Sequence, residues 1–256
     1  MFAVIDTLIQ GFMLGGLYAL FALGLALMFG VMRLTNVAHG DFIVLGAFGT
    51  FALAATGINP FLAGVVVLPV AFALGYALQR FPLNRTLGKD PLPSLVVTFG
   101  LSIVIQNVLM EVFSADPRSI ESLGLNTQSL SVIDGLSVGL MPLMILVVAA
   151  ACTVLMQWLF SATALGRSFR AVSDDPEVAQ LMGVKSVHLY AMATGIAFVL
   201  VSLAGTLQGM RSTVSPTDGP ALLLFAFESV IIGGLGSFWG TFSGATSGRA
   251  SATASS

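Results

Sequence analysis

Four side chains carry most of the chemical potential of this sequence: His39, His188, Cys152, and Glu228 inside an apolar run. Hydrolytic or zinc chemistry needs such groups at fixed offsets, as in a His-Glu-x-x-His pair on one helix face or a Gly-x-Ser-x-Gly elbow. Neither pattern occurs, and there is no Gly-rich phosphate loop ending in Lys-Ser or Lys-Thr. Cys152 is the single cysteine, which excludes a disulfide framework, and it reads as a small packing residue. Glu228 lies about 12 Å along a helix starting at Pro220, at ~1.5 Å per residue. A carboxylate at that depth of an apolar segment points to a functional site, with a hydrogen-bonded or protonated glutamic acid as the plain alternative.

The elements that must position these groups are set by composition. The chain has 256 residues, of which 56% are hydrophobic and 9% charged. Soluble domains carry about 25% charged residues, so this surface faces lipid instead of water. Net charge is −2, which leaves no basic field for nucleic acid. Apolar runs at 7–32, 61–79, 93–113, 140–160 and 187–210 each match the ~20 helical residues that cross a bilayer core. Residues 42–56 make a shorter segment, ended by Gly57, Asn59 and Pro60, and 220–239 a last one. Barrel strands would alternate in polarity, and runs such as 145–151 do not. The fold expected is all-α: a polytopic transmembrane bundle of about seven segments, one of them short or broken, occupying residues 1–242.

Arg33, Arg80, Arg85, Lys89, Arg167, Arg170 and Lys185 fall in alternate loops, whereas the intervening loops hold only Arg118 and Arg211. The positive-inside bias puts the first set in the cytoplasm and the N-terminus outside. Met1 to Asp6 lacks a basic residue, so the first segment reads as a retained span. Residues 243–256 are small and low in complexity and are expected to be disordered. They read as an ending that stops before a last membrane segment.

Three stretches stand out. Within 166–185, Asp175-Pro176 reads as an N-cap followed by a first-turn proline, and Gly183 as a stop. Val178, Leu181 and Met182 share one face of that helix, which must dock on a cytoplasmic partner or on the protein's own base. Asn36, His39 and Gly40 join the first span to the short segment, as a pore-lining turn or a plain capped turn. Pro216 and Gly219 precede Glu228 and the run Gly233, Gly234, Gly236, a further candidate pathway region.

Taken together, Asn36-Val37-Ala38-His39-Gly40-Asp41-Phe42, Gly166-Arg167-Ser168-Phe169-Arg170-Ala171-Val172 and Gly233-Gly234-Leu235-Gly236-Ser237 resemble phrases of the inner-membrane permeases of branched-chain amino acid ABC importers. The resemblance covers about residues 8–242. It implies a non-enzymatic permease half in the bacterial inner membrane that pairs with a second permease subunit. A periplasmic binding protein would deliver substrate, and two cytoplasmic ATPase subunits would bind the ATP, leaving this chain without a cofactor. Their docking loop would be Gly166, Arg167, Arg170, Ala171, Asp174, Asp175, Ala179, Leu181 and Gly183. Two other readings stay open on the residues alone: a carrier or channel with Glu228 as its proton or ion site, and an intramembrane enzyme using His39.

Overall fold

The computed structural model describes residues 2–33, 35–86, 92–133 and 136–254. Lys89, one of the loop charges read above, lies outside the described residues, as do Ser255 and Ser256.

Ten helices follow in order: α1 (Phe2–Met32), α2 (His39–Ala54), α3 (Pro60–Arg80), α4 (Leu92–Phe113), α5 (Leu140–Ala162), α6 (Ala164–Asp174), α7 (Pro176–Leu181), α8 (Ser186–Arg211), α9 (Gly219–Gly233) and α10 (Phe238–Ala254). Five of them are long and apolar enough to span a membrane: α1, α3, α4, α5 and α8. The short helix α2 and the bent pair α9–α10 complete the expected seven segments. A small antiparallel hairpin, β1 (Ser129–Ile133) and β2 (Leu136–Gly139), closes the loop before α5.

The layering follows from which faces are apolar. Helix α1 is buried on every side between Leu17 and Met28, and α8 is buried over most of its length. Helices α3, α4 and α5 stand outside them and turn rows of large apolar side chains outward, such as Leu62, Val65 and Val70 of α3. In lipid such rows need no cover, so helices associate through close backbone approach and interhelical hydrogen bonds. Glycines supply the approach. A Cβ at Gly205 of α8 would collide with the Ile43 carbonyl of α2, and one at Gly46 would come within 2.5 Å of Ser202 Cα. Gly75 of α3 likewise takes the Phe198 ring of α8, 2.7 Å from where a Cβ would stand.

One hydroxyl pair joins α2 to α8: Thr50 Oγ1 and Thr206 Oγ1 are 2.7 Å apart, both side chains buried. Interhelical hydrogen bonds in membranes average about 0.6 kcal/mol. Thr206→Val, which keeps the shape, is therefore expected to lower stability by about that amount in a steric-trap or detergent-titration assay. A loss above ~2 kcal/mol would mean that the pair does more than this.

Two expectations are corrected at the C-terminal end. The 220–239 segment is not one straight span: α9 stops at Gly233, and α10 leaves at 111° to it. Gly234 (φ 94°) and Gly236 (φ 85°) hold the backbone where side chains with a Cβ are strained. Residues 243–254 are also not a disordered tail; α10 continues to Ala254. Their smallness is what lets them pack. Ala245 and Thr246 are buried, and a Cβ on Gly15 of α1 would strike the Thr246 backbone. Contacts of Gly15 with Thr246 and of Gly30 with Gly236 show α10 running back up α1, antiparallel to it. Residues 238–254 consequently return toward the end of the bundle where α1 begins.

Candidate functional site

The connector from α1 to α2 turns inward. His39, the first residue of α2, places Nε2 2.9 Å from the Phe21 carbonyl oxygen of α1. Phe21 lies eleven residues before the end of α1 at Met32, about 16 Å along its axis at 1.5 Å per residue. The chain thus leaves α1 at the basic end of the bundle and begins α2 near mid-depth. Helix α2 has 16 residues, too few to cross a core of about 30 Å.

Helix α9, with 15 residues, starts against the same place. A Cβ on Gly40 would overlap the Gly219 carbonyl, and a Cβ on Gly219 would overlap Oδ1 of Asp41. Two half-helices therefore meet N-terminus to N-terminus, an arrangement that concentrates the positive ends of two helix dipoles. Neither N-terminus has a side-chain cap. Asn36 Oδ1 accepts the Ala38 N–H, at 3.0 Å. The plain capped turn is thereby replaced by a buried junction.

This junction is polar in an otherwise apolar interior. Asn36, His39 and Asp41 are all buried, and Asn36 Nδ2, His39 Nδ1 and Asp41 Oδ2 have no hydrogen-bond partner among the described residues. The fourth side of the junction is α4. Gln106 donates to Asp41 Oδ1 at 2.8 Å and to Ser102 Oγ at 3.2 Å. Thr98 Oγ1 accepts the Val37 N–H at 3.3 Å, and Ser94 Oγ lies 3.0 Å from Thr86 Oγ1. Ser94, Thr98, Ser102 and Gln106 recur every four residues, so they form one stripe down the inner face of α4. Sequence reasoning missed this stripe, although the spacing was its signal. Val96, Phe99, Ile103 and Val104 turn outward, making the first half of α4, up to Val104, polar inside and apolar outside.

The other pathway candidates lie apart. Pro216 is buried in the turn before α9, where Asp218 Oδ2 accepts the Ser215 N–H at 2.7 Å. Gly233, Gly234 and Gly236 belong to the far end of α9, where Gly236 comes against Gly30 near the end of α1. Glu228 is on the exposed side of α9, beside a small cleft shared with Gly244 and Ala245 of α10, and is not part of the junction.

The candidate docking residues assemble at the basic end. The expected short helix is α7, with Asp175 capping it by accepting from Glu177 and Val178 N–H at 2.9 and 3.0 Å. Gly183 has φ 83° and ends it. Ahead of it stands α6, an amphipathic helix not anticipated, which buries Gly166, Phe169 and Val172. Arg170 donates to the Phe160 carbonyl and Arg167 to that of Ala162, so both guanidinium groups cap the C-terminus of α5. Ser173 donates to the Gly30 carbonyl at 2.7 Å, tying α6 to α1. Ala171 and Asp174 are exposed on α6, and Ala179 is the buried residue of α7. Leu181 is 86% exposed, Met182 80% and Val178 53%. The apolar face of α7 is thus not covered by the protein's own base.

A bundle with half-helices meeting at mid-depth and an uncovered amphipathic helix at its basic end has the architecture of a multi-span transport protein. Comparison with known proteins narrows this. Residues 7–252 match the family described as the permease component of branched-chain amino acid transport systems, and the chain belongs to that family. It is 28% identical to the high-affinity branched-chain amino acid permease BraD of Pseudomonas aeruginosa, over 94% of this chain and 82% of the relative. LivH of Escherichia coli K12 is 26% identical with the same coverage. The fructose import permease FrcC of Rhizobium meliloti is 28% identical over 82% of this chain and 55% of its own length. No solved structure matches.

Proposed function

We propose that this chain is one permease half of an ABC importer that moves branched-chain or similar hydrophobic amino acids inward across the bacterial inner membrane. The observation that carries the reading is the uncovered face of α7, Val178, Leu181 and Met182. Apolar side chains held on a short capped helix outside the spanning helices are suited to a groove on another protein. Arg167, Arg170 and Ser173 fix the preceding helix α6 to α5 and α1, so force applied at α7 reaches the spanning helices through α6. Two cytoplasmic ATPase subunits, a second permease and a periplasmic binding protein complete the machine. The basic end then faces the cytoplasm, and α1 starts outside. Asn36, His39, Gly40 and Gly219 form the gating junction, and the glycines 233, 234 and 236 the flexible end of α9. Specificity rests chiefly on the binding protein, and leucine, isoleucine and valine are the class that the family's description favours.

Reconstitution tests this directly. The chain, its genomic-neighbour permease, ATPases and binding protein in proteoliposomes should take up leucine only with ATP inside. Leucine uptake by the chain alone under a pH gradient would instead establish the carrier reading.

A further inference from the structure

The buried junction holds a carboxylate that its protein partners leave half satisfied. Asp41 is 1% exposed, Oδ1 takes the Gln106 N–H, and Oδ2 has no hydrogen-bond partner among the described residues. Its carboxylate lies against Gly219, the first residue of α9. The stripe Ser102, Thr98 and Ser94 leads from it along α4 to Thr86 in the loop at the basic end. From Gln106 to Ser94 is about 18 Å of helix at 1.5 Å per residue, a polar track through the inner half of an apolar bundle.

We propose that Asp41 is the counter-charge for the α-ammonium group of the transported amino acid, and that the α4 stripe is the track along which this group leaves. The proposal rests on the permease reading above. A bare anion is disfavoured at Oδ2 by the carboxylate itself, and an apolar group would leave Oδ2 unpaired. A primary ammonium brings a full opposite charge and three N–H donors. Serine and threonine hydroxyls one turn apart can accept those donors in succession without trapping the charge. The site is closed in this conformation, and separation of α4 from the α2 connector opens it. From Leu92 to Val104 the outer face of α4 is apolar, so this half of the helix can shift in lipid without exposing polar groups.

The assembled importer provides the test. Asp41→Asn keeps the oxygen that accepts from Gln106 and keeps the side-chain shape, but removes the charge. ATP-driven leucine uptake should fall at least tenfold, while Asp41→Glu retains most of it and both variants keep binding-protein-stimulated ATP hydrolysis. Wild-type uptake by Asp41→Asn overturns the proposal. Should Asp41→Asn fail to assemble, Ser102→Cys in a Cys152→Ser background gives a second readout. A small methanethiosulfonate reagent should label Cys at 102 during turnover, and saturating leucine should slow labelling several-fold. Labelling unaffected by leucine, or absent in every state, refutes the track. If the wild-type assembly itself shows no ATP-driven uptake, the permease reading has failed, which is a separate outcome.

Discussion

Replacing Leu181 and Met182 together by aspartate is expected to strip the ATPase subunits from the complex and abolish uptake, while insertion of the chain is unchanged. Both side chains are largely exposed and contribute little to the fold of this subunit. Burying an apolar side chain of this size in a partner's groove contributes about 1.5–3 kcal/mol. Losing both, and forcing two carboxylates into the groove, weakens docking by more than about 100-fold. Co-purification is the measurement. ATPase subunits retained at wild-type stoichiometry would sink the assignment of α7 as the docking helix.

The second large effect is expected at Gly219. Valine there has to place its Cβ where Asp41 Oδ1 already stands, and the contact is backbone-deep, since Gly40 and Gly219 abut directly. Overpacking a core costs about 1–3 kcal/mol or more. Here both half-helices must also move, so the variant should lose its monodisperse peak in detergent and be degraded in cells. Gly100→Val is the matched control, because a Cβ at Gly100 meets nothing within 4 Å. It should behave as wild type. Equal behaviour of the two valine variants would show that the junction is looser than described.

The membrane segments were legible because charge and apolarity act locally: each span's limits fall within a few residues of a loop charge or a helix breaker. The docking helix was legible for the same reason, as Asp175, Pro176 and Gly183 carry their own capping chemistry. What remained hidden depended on other elements. Nothing within residues 33–41 states that the connector turns back to mid-depth; that follows from the Phe21 carbonyl waiting for His39. The α4 stripe was visible as spacing, but serine and threonine weigh little within an apolar run and bond readily to their own helix carbonyls, as Thr98 does to Ser94 at 2.9 Å. Amphipathic α6 was passed over because its apolar positions are few: Leu165, Phe169 and Val172. Residues 243–254 looked featureless because small side chains are equally suited to a solvated tail and to tight packing on α1. Glu228 stood out by type yet sits away from the junction, whereas Asp41, not singled out in the sequence, sits at its centre.

The burial of α1 on every side bears on how the protein is made. Helix α1 leaves the ribosome before its covering helices, which include α8, α9 and α10, the last described. During synthesis its future contact surface can only be occupied by lipid or by the insertion machinery. Because that surface is apolar, lipid can serve as a placeholder and be displaced as each later helix arrives. His39, Asp41 and Asn36 have no such placeholder. The α1–α2 connector must therefore wait near the water interface and sink to mid-depth only once α4 and α9 are present to receive it. Ribosome-arrested chains ending before Leu92 should accordingly keep residue 36 open to water-soluble labels, and completed chains should not.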